Sequence, residues 1–135
     1  MSAGARILVI DDEVDVARTA ALVLKKAGYA VETCHNGPDA LARTSLGGLD
    51  LILLDINMPG MDGWEVLRVL KADEATASIP VAMFSVRGEI RDKVHGLQEG
   101  ALDYITKPFS IDELAGRVAA ILDQEERGKL EGASR

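Results

Sequence analysis

The chain has 135 residues, 47% hydrophobic and 27% charged, which suits one folded domain with a single core and leaves no room for two. A net charge of −7 argues against a nucleic-acid surface, which needs clustered Lys and Arg. No apolar run approaches the ~20 residues of a membrane span, and the start, Met1 to Arg6, lacks the apolar core of a signal peptide, so the cell interior is expected. Cys34 is the single cysteine and forms no internal disulfide. With only His35 and His95 beside it there is no thiolate or imidazole metal cluster, and neither Cys34 nor His35 is expected to act as nucleophile or ligand.

In chain order, Arg6-Ile7-Leu8-Val9-Ile10 reads as a buried strand that ends in three acids, Asp11-Asp12-Glu13. Apolar residues at Val16, Ala20, Val23, Leu24 and Ala27 predict a helix over 15–27, stopped by Gly28. Tyr29 to Cys34 gives a second strand. Asn36-Gly37-Pro38-Asp39 opens a second helix to about Ser45, and Gly47-Gly48 break the chain again. Leu51-Ile52-Leu53-Leu54 is the third strand, an unbroken aliphatic run suited to a strand covered on both faces. It delivers Asp55 to a loop set by Pro59, Gly60 and Gly63. Asp62-Gly63-Trp64-Glu65 offers a capping acid with a Glu three residues on, and Val66, Leu67 and Leu70 mark the buried stripe of a third helix, with Trp64 read as packing.

The fourth strand, Ile79 to Phe84, exits into Ser85-Val86-Arg87-Gly88, and a narrow stripe of Ile90, Val94 and Leu97 predicts a fourth helix over 89–98. Leu102 to Thr106 is the fifth strand, running into Lys107-Pro108-Phe109. Ser110-Ile111-Asp112-Glu113 is a capping box for a fifth helix carrying Leu114, Val118, Ile121 and Leu122. From Asp123 onward the residues are charged or small, so a fraying end and a loose tail are expected.

Strict alternation of strand and helix predicts an α/β fold: a parallel sheet covered on both faces, with right-handed crossovers. Every strand exit then lies on one edge, which collects Asp11, Asp12, Asp55, Ser85 and Lys107 from four strands. Clustered carboxylates repel one another unless a cation is present, and an all-oxygen donor set suits Mg²⁺ or Mn²⁺ rather than zinc. Lys107 as a cation and Ser85 as a donor match the oxygens of a phosphoryl group, with Asp55 as nucleophile. A carboxylate already ionised at neutral pH forms an acyl phosphate without a general base. The plainer alternatives are that Asp55 caps a turn and that Lys107 neutralises an acidic edge.

Asp11-Asp12, the stretch from Leu54-Asp55-Ile56-Asn57 to Met61-Asp62-Gly63, Ser85, and Tyr104-Ile105-Thr106-Lys107-Pro108-Phe109 together resemble the receiver domain of two-component response regulators. The resemblance covers residues 6–122, with 1–5 as a short N-terminal extension and 123–135 as a charged tail. It implies a doubly wound, flavodoxin-like five-stranded sheet in the order 2-1-3-4-5. It further implies that Asp55 accepts a phosphoryl group from a histidine kinase or phosphotransfer protein. Mg²⁺, with Mn²⁺ as a substitute, would be held by the carboxylates of Asp12 and Asp55, by the backbone carbonyl of Asn57, and by Asp11 through water. Lys107 would bind a phosphoryl oxygen, oriented by a cis peptide to Pro108.

Ser85 and Tyr104 resemble the family's switch pair: Ser85 moves to bond the phosphoryl group and Tyr104 turns inward behind it. The output face for a downstream protein is then the fourth helix, fifth strand and fifth helix. Val86 stands where the family usually has a small residue, and it predicts slower access of bulky phosphodonors. Asn57 and Arg87 occupy positions that tune the lifetime of the acyl phosphate. The chain is expected to promote only its own phosphorylation and dephosphorylation. With no effector domain after Leu122, it is expected to act as a single-domain regulator through protein contact, without nucleic acid or membrane.

A haloacid-dehalogenase-like phosphatase also uses a strand-end Asp and Mg²⁺, but needs a second Asp where this chain has Asn57. A flavodoxin-type module needs a phosphate loop after the first strand, where Asp11-Asp12-Glu13 would repel phosphate. The competing reading is a receiver-like interaction module that works without phosphorylation.

Overall fold

The computed structural model describes residues 4–86 and 100–133. The expected fourth helix and Arg87 lie outside the described residues, as do the side chains of Ser85 and Val86. Five strands, β1 (Arg6–Ile10), β2 (Ala30–Cys34), β3 (Leu51–Asp55), β4 (Val81–Val86) and β5 (Asp103–Lys107), form one sheet in the order β2-β1-β3-β4-β5, and every pairing is parallel. Helices α1 (Val14–Lys26), α2 (Gly37–Thr44) and α3 (Gly63–Ala72) alternate with them, and a C-terminal helix spans Ile111–Ala133. The parallel sheet is the one expected from the alternation, and its doubly wound order is the one the resemblance implied.

The unbroken aliphatic runs of β1 and β3 divide by strand periodicity between two cores. Leu8, Ile10, Ile52 and Leu54 face α2 and α3, against Ala40, Val66, Leu67 and Leu70. Ile7, Val9, Leu51 and Leu53 face α1 and the C-terminal helix, against Ala17, Ala20, Leu24, Leu114, Val118 and Ile121. Covering both faces makes alternation with polar residues impossible in these central strands, which explains the continuous runs. Trp64 packs half-buried on the first core, as expected.

Caps place the helices. Asn36 Oδ1 accepts from the Asp39 N–H at 2.8 Å, Asp62 Oδ1 from the Glu65 N–H at 3.0 Å, and Ser110 Oγ from the Glu113 N–H at 3.1 Å. Observed bounds differ from the expected ones by a residue or two: β4 begins at Val81 because Pro80, with no N–H to give, contributes only its carbonyl, which accepts from the Ile52 N–H at 3.0 Å.

The loose tail after Asp123 is corrected, since the C-terminal helix continues to Ala133. The extension opens with Asp123-Gln124-Glu125-Glu126-Arg127, strong helix formers apart from Asp123, and an Arg127–Asp123 pair at 3.2 Å links one turn to the next, which carries the helix past Gly128 and Gly132. Charge signalled solvent exposure there, not loss of structure.

Candidate functional site

Register builds the site. Ile10 is the partner of Leu54, so the residues that follow them, Asp11 and Asp55, leave adjacent strands at the same level. Asp55 is itself the partner of Phe84 in β4, and Lys107 that of Val86 at the end of β5. Lys107 reaches back across this edge. Its ammonium donates to Asp11 Oδ2 at 2.7 Å and to Asp55 Oδ1 at 3.1 Å, joining residues from three strands. Carboxylate oxygens of Asp11, Asp12 and Asp55 lie within 4.8 Å of one another.

The cluster sits in the protein, not on it. Asp11 is fully buried and Asp55 is 4% exposed, while Asp12 is half-buried. Beneath Lys107 lies the Phe84 ring, 5.7 Å from the ammonium, stacked on Phe109 at 5.6 Å between centroids. Burial in this apolar setting, with Asp11 adding like charge, outweighs the help of Lys107 and pushes the Asp55 carboxyl up to about 7. For Lys107 burial works against the charge, yet its bonds to Asp11 and Asp55 and their negative charge win, and its pKa is raised. The lysine therefore stays a cation.

Burial, with the like charge of Asp11, therefore opposes the full ionisation of Asp55 expected from the sequence, as far as these side chains alone are concerned. A divalent cation among three oxygen donors removes that conflict, so the residues present fit Mg²⁺ or Mn²⁺. Asn57 lies exposed in the loop after Asp55.

That loop is held by a close approach. The Gly63 N–H donates to the Ile56 carbonyl at 2.9 Å, and a Cβ on Gly63 would fall 2.2 Å from the Asp55 carbonyl oxygen and 2.8 Å from the Ile56 Cα. Only glycine allows α3 to start against the strand that carries Asp55. The Lys107–Pro108 peptide is cis, as the resemblance implied.

Tyr104 is 7% exposed and lies in the core shared with Met83 and Ala101. The backbone of Ser85 is the register partner of Thr106 at the end of β4. Arg117 of the C-terminal helix donates to the Tyr104 carbonyl at 2.8 Å and to the Asp103 carboxylate, fastening β5 to that helix.

Two features escaped the sequence reading. Phe84 reads from the sequence as a strand residue, and the fold makes it the floor under Lys107. His35, for which the sequence assigns no role, places its Nδ1 3.0 Å from the Asp11 carbonyl oxygen. The signal for His35 was strand register: Ile10 pairs with Cys34, which puts His35 beside Asp11.

A five-stranded doubly wound sheet with buried acids and a lysine at its carboxyl edge defines a class of α/β proteins that bind at strand ends. The response regulator receiver domain family matches residues 7–119, and this chain belongs to it. The transcriptional regulatory protein YkoG of Bacillus subtilis is 45% identical over 118 residues, covering 87% of this chain and 51% of that protein. The phosphate regulon transcriptional regulatory protein PhoB of Pseudomonas aeruginosa is 43% identical over 128 residues, 95% of this chain and 56% of that protein. The chain thus spans about half the length of the curated relatives it matches. Among solved structures, a response regulator from Chloroflexus aurantiacus superposes with a TM-score of 0.85 at 34% identity, covering 89% of this chain and 98% of that one. Chemotaxis protein CheY4 of Vibrio cholerae gives 0.82 at 30% identity, covering 87% and 98%. No described helix is long and apolar enough to cross a membrane.

Proposed function

We propose that this receiver domain is a phosphoacceptor in a phosphorelay, with Asp55 taking a phosphoryl group from the phosphohistidine of a histidine kinase or phosphotransfer protein in the cytoplasm. The observation that carries this reading is the Lys107 ammonium bridging Asp11 and Asp55 at 2.7 and 3.1 Å on a buried edge. An Asp55 oxygen attacks phosphorus, the P–N bond breaks, and the departing imidazole takes up a proton. Lys107, already beside that oxygen, turns from its carboxylates to a phosphoryl oxygen and balances its charge.

Asp12 and Asp55 by carboxylate, Asn57 by its backbone carbonyl and Asp11 through water would hold Mg²⁺, with Mn²⁺ as a substitute. Bound there, the cation neutralises the acids and the charge of the incoming phosphoryl oxygens. Asp11, Asp12 and Asp55 remain oriented by the strand ends throughout. The only chemistry assigned to the chain is its own phosphorylation and dephosphorylation, with Asn57 and Arg87 tuning the lifetime of the product and Val86 slowing bulky donors.

Ser85 and Tyr104 form the switch pair. A downstream protein reads the face built from the fourth helix, β5 and the C-terminal helix, without contact to nucleic acid or membrane by this domain. The Arg117 bridge between the C-terminal helix and β5 supports transmission along that face, because a shift of the β5 backbone at Tyr104 moves the carbonyl to which Arg117 donates. Incubation with acetyl phosphate followed by intact mass tests the acceptor role. A Mg²⁺-dependent gain of one phosphoryl group, lost in Asp55→Asn, is expected; no gain in the native chain would point to an interaction module independent of phosphorylation.

A further inference from the structure

The turn between β2 and α2 touches both segments that carry the acids. Its first contact is His35, whose Nδ1 lies 3.0 Å from the Asp11 carbonyl oxygen. A carbonyl oxygen only accepts, so the proton of this bond sits on Nδ1. One residue earlier the Cys34 carbonyl accepts from the Asp11 N–H at 3.1 Å. Asp11 is therefore clasped on both sides of its Cα, and its carboxylate is held in turn by the Glu13 N–H at 3.0 Å and by Lys107. Because the Asp11 carbonyl belongs to the peptide that leads into Asp12, fixing it fixes the plane from which both carboxylates are aimed.

The second contact is Gly37, which opens α2 against Met61 of the loop after Asp55. A Cβ at Gly37 would lie 2.8 Å from Met61 Sδ and 2.9 Å from its Cβ and Cγ. The turn itself is held by reciprocal bonds between Asn36 and Asp39, at 2.8 Å to the Asp39 N–H and 2.9 Å to its carboxylate. His35 reaches the Asp11–Asp12 segment, and Gly37 abuts the segment that follows Asp55.

We propose that His35 is a positioning residue that sets divalent-cation affinity by holding the Asp11–Asp12 peptide, with Gly37 completing the brace against the Asp55 loop. This rests on the reading of Asp11, Asp12 and Asp55 as the cation site. A simple clip between β2 and β1 would change only the stability of the fold. A partner that orients metal ligands changes the affinity itself, by about tenfold at the lower end of its usual range.

The test is titration of the full chain with Mg²⁺ alone, followed by calorimetry, alongside urea unfolding of the same proteins. His35→Ala is expected to weaken Mg²⁺ binding by about tenfold. His35→Asn, whose side-chain amide offers an N–H in a similar position, is expected to stay within about twofold of the native chain. Gly37→Ala, which displaces Met61, should weaken binding in the same direction. With acetyl phosphate, His35→Ala should need more Mg²⁺ to reach half its maximal phosphorylation rate while keeping the maximal rate. Equal Mg²⁺ affinity in the native chain and in folded His35→Ala would overturn the proposal and leave the cation site standing. Absence of Mg²⁺ binding by the native chain would instead overturn the reading on which it rests.

Discussion

A single strand contains the two opposed regions of this molecule. In β3, Leu51, Ile52, Leu53 and Leu54 are wholly buried among apolar neighbours, and the next residue, Asp55, is almost as buried among carboxylates. Each of the four aliphatic side chains stabilises the fold by about 1.5 to 3 kcal/mol through its burial. One step along the chain, burial works the other way: it holds back ionisation of Asp55 and leaves Lys107 as the nearest compensation. The interior of the sheet holds the fold, and its carboxyl edge lowers stability to keep charged groups where they react.

Truncating the interior gives the largest effect. Leu53→Ala should cost about 3 kcal/mol in urea unfolding, the usual range for a core Leu, while the folded fraction keeps its Mg²⁺ affinity. A comparable loss of Mg²⁺ affinity would erase the distinction between the two regions. Gly63→Ala comes next, at about 2 kcal/mol, because its Cβ collides with the backbone of Asp55 and Ile56, not with a side chain that can turn away. Unlike Leu53→Ala, it should also weaken Mg²⁺ binding.

Asp55→Asn should have the opposite sign. An unfolded Asp55 titrates near 3.8 and the folded one at about 7 without a cation, so between these values the folded chain keeps a proton that the unfolded chain has lost. The contribution of this group to stability therefore falls as pH rises from about 4 through 7. Removing the charge at pH 8 without Mg²⁺ should stabilise the chain, and the gain should vanish below pH 4. A urea series across pH on both proteins reads this directly.

The smallest change belongs to the far side of β2. Arg43 pairs with Glu32 through two bonds, at 2.8 and 2.7 Å, and lowers the Glu32 pKa chiefly by that hydrogen bonding, but the Glu32 side chain is half exposed. Arg43→Ala should cost no more than about 1 kcal/mol and leave Mg²⁺ affinity unchanged.

How much of this was legible in the sequence follows the same division. Unbroken aliphatic runs announce β1 and β3, and their exits name Asp11, Asp12 and Asp55. Lys107 was legible as a strand-end cation, although its bonds to both Asp11 and Asp55 depend on strands far apart in the chain. His35 was not legible as a contact because its partner is 24 residues away and the pairing register of β1 and β2 is invisible in composition. The burial of Asp55 was not legible because reference values describe a solvated carboxyl, and only packing shows how far this one is enclosed. The end of the C-terminal helix was missed for a local reason, since a stretch with no apolar stripe reads as loose even when its residues favour helix.

The most direct test of this division is the unfolding free energy of the native chain and of Asp55→Asn at pH 8, with and without saturating Mg²⁺. The order of stability should invert: Asp55→Asn is the more stable without the cation, and the native chain gains more when Mg²⁺ is added, because binding to the folded state alone adds stability. A native chain already more stable than Asp55→Asn without Mg²⁺, with neither protein responding to the cation, would contradict the account.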